Sequence, residues 1–304
     1  MPQTPRQEPV TLIHHAANCG HDEPPGSLSA LQKCLASGAA FIEIDLIPLA
    51  DGSFALLHVP DLEEDTNGSG NAPEMARGQV QDLKYIHKGK ITNETVGFLE
   101  GVVELLKQFP DCDRLQLDLK PFTPLSQHMV HKFLSTIEPV MNQIQVASYA
   151  DWAVRTLSIH SPELSLGFDP LLYLDLVEDE PRPVDIPPFR VGAYGLLDDH
   201  PLAAYQWGPA GDYFAARAEA LLAQVPRGCE WFIRAEILKI ALDVGFDWIE
   251  YLHQHGSTVD SWTIDVNDPG QIELAQFLVD KGIDKLTTDD PAQLAAKLTA
   301  KTII

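Results

Sequence analysis

The residues best suited to chemistry lie between 41 and 58, Phe-Ile-Glu-Ile-Asp-Leu-Ile-Pro-Leu-Ala-Asp-Gly-Ser-Phe-Ala-Leu-Leu-His. The run from Phe41 to Ile47 is apolar and β-branched, which predicts a strand, and it carries two acids, Glu43 and Asp45. Side chains alternate along a strand, so these carboxylates point the same way, one pleat apart. Two bare carboxylates that close repel, and one stays protonated unless a cation neutralises the pair. A hard divalent ion with oxygen ligands is the natural partner. Asp51-Gly52 then predicts a tight reversal, and Phe54 to Leu57 returns to deliver His58. An ion site and a histidine joined by one hairpin outline a hydrolytic centre.

The same spacing recurs in the strand predicted over Arg114 to Lys120, where Asp118 and Lys120 share a face. Taken alone, this pair reads equally well as an ordinary strand-end ion pair. A short apolar strand from Val10 to Ile13 runs directly into His14-His15. Neighbours on a strand face opposite ways, so only one of these two histidines can point into a shared site. Trp262 lies in a strand predicted over Val259 to Val266 and suits either a wall beside a ligand or the core.

The elements that must position these residues alternate in type. Ser27 is placed to cap a helix running to about Ser37, with Leu28, Leu31 and Leu35 on one face, ahead of the 41–47 strand. Residues 59–82 are a polar excursion. Helices are predicted over Phe98–Phe109, Ser126–Glu138, Asp151–His160, Tyr213–Gln224, Trp248–His255, Gln271–Lys281 and Pro291–Ala300. Strands are predicted over Ile144–Ser148, Leu164–Phe168, somewhere within Trp231–Ala241, and over Lys285–Thr288. This alternation and the polar residues at strand ends predict an α/β fold, a single (β/α)8 TIM barrel spanning 1–304. A polar, proline-rich extension (1–9) precedes it, and an insertion rich in Pro, Asp and aromatics (170–212) interrupts it. An open doubly wound sheet is the alternative, but no glycine-rich phosphate loop follows the first strand.

Of the 304 residues, 45% are hydrophobic and 21% charged, which suits a globular chain, but the net charge is −23. That charge argues against a nucleic-acid partner and against anionic membrane surfaces. No apolar run reaches membrane-spanning length and the N-terminus lacks a signal-peptide core, so cytoplasmic residence without membrane insertion is expected. The four cysteines, Cys19, Cys34, Cys112 and Cys229, lack the close spacing of a zinc knuckle or redox motif and read as reduced structural residues.

The Glu-x-Asp strand, the Asp-Gly arm and the histidine ending an apolar run resemble the core signature of the glycerophosphodiester phosphodiesterase family. Ser261-Trp262-Thr263-Ile264-Asp265 resembles the family's Trp-Thr-Val-Asn strand, and Thr287-Thr288-Asp289-Asp290-Pro291 its closing Thr-Asp-x-Pro. The resemblance covers roughly 10–168 and 229–298. It implies that Glu43, Asp45 and Asp118 hold one divalent cation, Mg2+ or Ca2+, and that Lys120 holds a phosphate oxygen. It also implies that His58 and a histidine after the first strand flank the phosphorus. The family's His-Arg-Gly can align with either His14 or His15, and the small pair Ala16-Ala17 favours His15. There are departures: Asp118 stands where Glu is usual, Val59 replaces the Asp after the histidine, and Glu64 or Asp65 replaces an arginine. The Glu and Asn of a Pro-Glu-Asn-Thr motif are missing from Pro24-Pro25-Gly26-Ser27.

The expected function is hydrolysis of a small phosphodiester to an alcohol and sn-glycerol 3-phosphate, with one histidine as base and the other as acid. Two alternatives stand beside it. In one, the substrate is a lysophospholipid or another phosphodiester, its pocket shaped by the aromatics of 170–212. Or the barrel binds a ligand with weak catalysis, as the missing polar residues would suggest.

Overall fold

Backbone pairing closes eight parallel strands of the chain into a ring. In this computed structural model the described residues are 9–20, 22–174 and 209–304. Most of the expected insertion (175–208) and most of the expected 1–9 extension (1–8) lie outside them. The barrel strands are β1 (Val10–His14), β2 (Phe41–Pro48), β3 (Arg114–Leu119), β4 (Ile144–Ser148), β5 (Ser165–Phe168), β6 (Glu230–Arg234), β7 (Val259–Ile264) and β8 (Lys285–Thr288). Each pairs with the next, and β1 closes the ring by pairing with β8 through Leu12↔Leu286 and with β2 through His14↔Ile42. The major helices between them are α1 (Leu28–Ala36), α2 (Leu99–Gln108), α3 (Gln127–Ile137), α4 (Asp151–His160), α5 (Ala210–Leu222), α6 (Ala235–Asp243), α7 (Trp248–Gln254), α8 (Gln271–Asp280) and α9 (Pro291–Lys297). This is the (β/α)8 architecture that the alternation predicted. Among the described residues no helix is long and apolar enough to cross a membrane.

Strand periodicity divides the barrel chemically. On β2, Ile42, Ile44 and Leu46 are fully buried in the apolar core, as are Leu115, Leu117 and Leu119 on β3. That core includes Leu31, Leu35, Val102 and Leu106 on the covering helices. The alternate residues therefore face the lumen, and they are polar: Glu43 and Asp45 on β2, Gln116 and Asp118 on β3. Register sets Glu43 beside Gln116, Gln116 beside Gln145, and Asp45 beside Asp118. Lower in the lumen, Glu230 accepts hydrogen bonds from Gln145 (3.0 Å) and Lys285 (2.6 Å), residues on strands that are not its neighbours. Such bonds can only cross the interior. Gly167 makes room there, because a Cβ on it would come within 2.1 Å of the Phe232 ring.

Local signals hold where side chains cap or turn the backbone. Ser27 caps α1 by accepting from Ala30 N–H (3.2 Å), and Asp290 caps α9 by accepting from Gln293 N–H (2.9 Å). Gly52 takes φ of 74° in the turn that folds Phe54–Ala55 back antiparallel on Ile47–Pro48. Two regions differ from the sequence-based expectation. Trp231–Ala241 holds not only a strand but also the first part of α6, which begins directly after Arg234. There the Ile237, Leu238 and Ala241 spacing supplies a helical apolar face. The excursion after His58 is folded rather than open. Short helices at Leu62–Asp65 and Arg77–Val80 pack with an antiparallel hairpin, Lys84–His87 and Lys90–Thr95, around Leu57, Leu62, Val80 and Tyr85. Its apolar residues are too sparse to show a period, so only the tertiary structure reveals this core.

Two predictions concern this scaffold. Burial, reinforced by the Glu230 charge, pushes the Asp260 carboxyl up to about 8 against the pull of Lys285 and the Thr287 hydrogen bonds. With a folded pKa above the unfolded value of about 3.9, protonated Asp260 contributes stability that is complete at low pH. That contribution is lost as pH rises through about 8. Between pH 5 and 9, urea denaturation is expected to show a larger loss of stability in the wild type than in Asp260→Asn; parallel curves would contradict this. Ala16 and Ala17, just past β1, have φ of 49° and 50°. The left-handed region costs an L-residue about 1–2 kcal/mol. Ala17→Gly is expected to match or exceed wild-type stability in thermal melts, and a loss of more than about 1 kcal/mol would contradict that strain.

Candidate active site

Three strands and one arm bring the predicted residues to one mouth of the barrel. Glu43, Asp45 and Asp118 each present a carboxylate oxygen within 4.8 Å of the others, with Glu43 and Asp45 almost wholly buried. Lys120, two residues past Asp118, places Nζ 2.7 Å from Asp45 Oδ1 and 3.6 Å from Asp118 Oδ2. Nζ also donates to the His58 carbonyl at 3.3 Å, tying the returning arm to β3. The His58 ring borders the cavities on both sides of this cluster. Its backbone is held by Asp65, whose carboxylate accepts from the His58 and Val59 N–H groups at 3.0 and 3.3 Å. The acid that stands in the region of the family's arginine thus fixes the loop carrying His58.

The two adjacent histidines separate as strand geometry requires. His15 begins a short turn after β1 and enters the lumen. Its Nδ1 lies 2.8 Å from Asp289 Oδ1 and its Nε2 4.0 Å from Glu43 Oε2. The left-handed turn at Ala16 aims that residue's N–H at the same Glu43 oxygen, at 2.8 Å. His14 faces the other way, with Nδ1 3.1 Å from the Asn18 carbonyl, and borders neither cavity beside the carboxylates. Of the two candidates, the structure brings only His15 to the acidic cluster.

Charge in this cluster is incompletely balanced. Burial pushes the Glu43 carboxyl up to about 8, with Asp45 acting in the same direction and His15 against it. Burial also pushes Asp118 up to about 6, although Lys120 opposes it. Asp45 alone is held below the usual range, because Lys120 and His58 outweigh its burial. His15 is pushed up to about 9: burial disfavours its charge, but the Asp289 hydrogen bond and the Glu43, Asp289 and Asp45 charges prevail. One ammonium therefore satisfies one carboxylate, while two remain costly as anions. Three convergent hard oxygens with unbalanced charge fit a divalent cation of the Mg2+ or Ca2+ type.

Two cavities meet at His15, Asp45 and His58. One, of about 340 Å3, has an apolar wall that includes Trp262, Phe232, Leu171 and Leu172. Trp262 thus lines a cavity and is not only core. The other, of about 530 Å3, is polar and is bordered by Asp65, Tyr85, His87, Lys88, Asp265 and Asp289. The sequence reading did not include Asp289, Asp65 or the hairpin residues in the site. Asp289 lies within the Thr-Asp-x-Pro signal already noted, whereas nothing local marks His87 or Lys88.

No protein-family model matches the chain. Sequence relatives do. Over 149 residues the chain is 24% identical to glycerophosphodiester phosphodiesterase 1 of Mus musculus, a match covering 48% of this chain and 44% of that protein. The Bos taurus protein of the same name is 28% identical over 90 residues, 30% of this chain and 27% of that one. The chain thus spans less than half the length of these mammalian relatives. A glycerophosphodiester phosphodiesterase of Caldanaerobacter subterraneus subsp. tengcongensis is 22% identical over 293 residues, 93% of this chain and 96% of its own. Solved structures share the fold. An Oleispira antarctica phosphodiesterase in complex with the product sn-glycerol-3-phosphate superposes with a TM-score of 0.64 at 19% identity, covering 94% and 96% of the two chains. A glycerophosphodiester phosphodiesterase from Parabacteroides distasonis gives 0.65 at 16%, covering 96% and 97%. The chain is thus similar in sequence to glycerophosphodiester phosphodiesterases, along 93% of its length in the Caldanaerobacter match, and shares the fold of their solved structures.

Proposed function

We propose that this chain hydrolyses glycerophosphodiesters to an alcohol and sn-glycerol 3-phosphate. The observation that carries the proposal is the convergence of Glu43, Asp45 and Asp118 with His15 and His58 at one mouth of the lumen. The named relatives support the reaction class, and the product in the Oleispira antarctica structure supports the product class.

Glu43, Asp45 and Asp118 would hold one divalent cation, Mg2+ or Ca2+. When bound, that ion supplies charge neutralisation for the non-bridging phosphoryl oxygens. Lys120 adds a second positive charge at the same mouth, which an anionic phosphodiester needs in a chain of net charge −23. Asp289 fixes the His15 ring through Nδ1 and leaves Nε2 facing the lumen. His58 reaches the junction of the two cavities from the returning arm. One imidazole takes the proton of the attacking oxygen, from water or the neighbouring glycerol hydroxyl, and the other gives a proton to the leaving alkoxide. Either route ends with one water consumed, the P–O bond to the alcohol broken and glycerol 3-phosphate released. Trp262 and Phe232 form a wall against which one arm of the diester packs. The apolar character of that cavity favours a second reading in which the arm is an acyl chain, as in a lysophospholipid.

Turnover of glycerophosphocholine is expected to vanish with a chelator and return with Mg2+ or Ca2+. Turnover that persists in chelator would remove the metal from the account. His15→Ala and His58→Ala are each expected to lower kcat by about 10²–10⁴-fold with an unchanged far-ultraviolet spectrum. Ligand binding without turnover of any diester would instead identify a binding barrel. A larger kcat/KM for lysophosphatidylcholine than for glycerophosphocholine would select the second reading.

A further inference from the structure

We propose that His14, Cys19 and Cys34 form a second cation site, outside the lumen, for a thiophilic ion of the zinc type. Because His15 turns into the barrel, His14 is driven to the opposite face of the chain. It is buried there, and a ring nitrogen of His14 and the sulfurs of Cys19 and Cys34 all lie within 4.8 Å of one another. The three come from separate places: the end of β1, the connection after it, and helix α1.

The donor set differs in kind from that at the barrel mouth. Two sulfurs and one imidazole select Zn2+ or a similarly soft ion over Mg2+ or Ca2+, which favour oxygen. A second observation supports ligation. The Asn18 carbonyl can only accept, so the 3.1 Å contact places the hydrogen on His14 Nδ1 and leaves the Nε2 lone pair as the donor. A carbonyl that orients the imidazole through its other nitrogen is the usual partner of a metal-bound histidine. All four cysteines of the chain are free, and Cys19 is partly exposed, beside a small cavity bordered by Glu23 and Lys33. With Zn–S near 2.3 Å and Zn–N near 2.1 Å, tetrahedral ligands stand about 3.5–3.8 Å apart. The donors, now within 4.8 Å of one another, therefore need to close by no more than about 1.0–1.3 Å.

The site would act on position rather than chemistry. An ion there ties the connection after β1 to α1, and that connection carries His15 and the Ala16 N–H that meets Glu43. The proposal does not depend on the reaction at the barrel mouth.

Cobalt titration of the metal-free full chain under anaerobic, reducing conditions tests it. Thiolate-bound Co2+ gives a near-ultraviolet charge-transfer absorption that carboxylate-bound Co2+ lacks, so the two sites read out separately. The absorption is expected to saturate at one ion per chain and to be discharged by one equivalent of Zn2+. It should be lost in Cys19→Ser and Cys34→Ala but kept in Cys229→Ala. Cys19→Ser changes a partly exposed connection, so it carries the test if Cys34→Ala fails to fold. A wild type that binds cobalt without this absorption overturns the proposal, as does an absorption unchanged in Cys19→Ser, or a Cys19–Cys34 disulfide in place of metal.

Discussion

The structure depends on keeping acidic charge inside a closed barrel. β2 is locked on its outer face by Ile42, Ile44 and Leu46, all fully buried, so Glu43 and Asp45 have nowhere to point but inward. β3 repeats the arrangement and adds Asp118. In water these carboxylates would be solvated; here burial, with the Asp45 charge beside it, pushes Glu43 up to about 8 and Asp118 up to about 6. Lys120 settles the account for Asp45 only. The rest of the mouth can be seen as a response to that excess. The Ala16 N–H, His15 and His58 surround the oxygens with positive or donating groups, and the remaining imbalance suits a cation.

The second organising feature is the junction. His15, Asp45 and His58 border an apolar cavity on one side and a polar one on the other. Under the proposed function, a diester centred there would lay its two unlike arms against these two unlike walls. The polar wall is built by the folded excursion after His58, whose hairpin packs through Tyr85, with its hydroxyl donating to the Leu56 carbonyl. Asp65 in that excursion fixes the His58 backbone. The excursion thus positions a site residue and also lines the pocket, although the family's arginine in this stretch is absent.

Much of this was legible in the sequence because strand alternation is a local rule. Glu43, Asp45, Asp118 and Lys120 follow from period-two spacing, and the same rule required His14 and His15 to part. It could not say which one entered the lumen, since that depends on the turn at Ala16 and on the distant Asp289. The barrel was legible because helices and strands alternate, with a clear cap at Ser27. Trp231–Ala241 was read incompletely because an aromatic strand runs into a helix with no intervening turn residue. The hairpin and the cavity residues His87 and Lys88 were not legible at all. Their placement comes from packing against Leu57 and Val80, contacts between segments with no periodic apolar pattern. The soft donor set was hidden for a similar reason: Cys19 and Cys34 are brought near His14 by the strand–helix connection and not by motif spacing.

The proposed reaction rests on one divalent cation held by Glu43, Asp45 and Asp118 at the barrel mouth. Anomalous diffraction from a crystal grown with Mn2+ or Ca2+ tests it most directly. The predicted result is a single strong peak at this mouth, with an oxygen of each of the three carboxylates at about 2.0–2.6 Å. An ordered mouth with no peak while Lys120 remains paired to Asp45, or a peak that none of these carboxylates contacts, would contradict it.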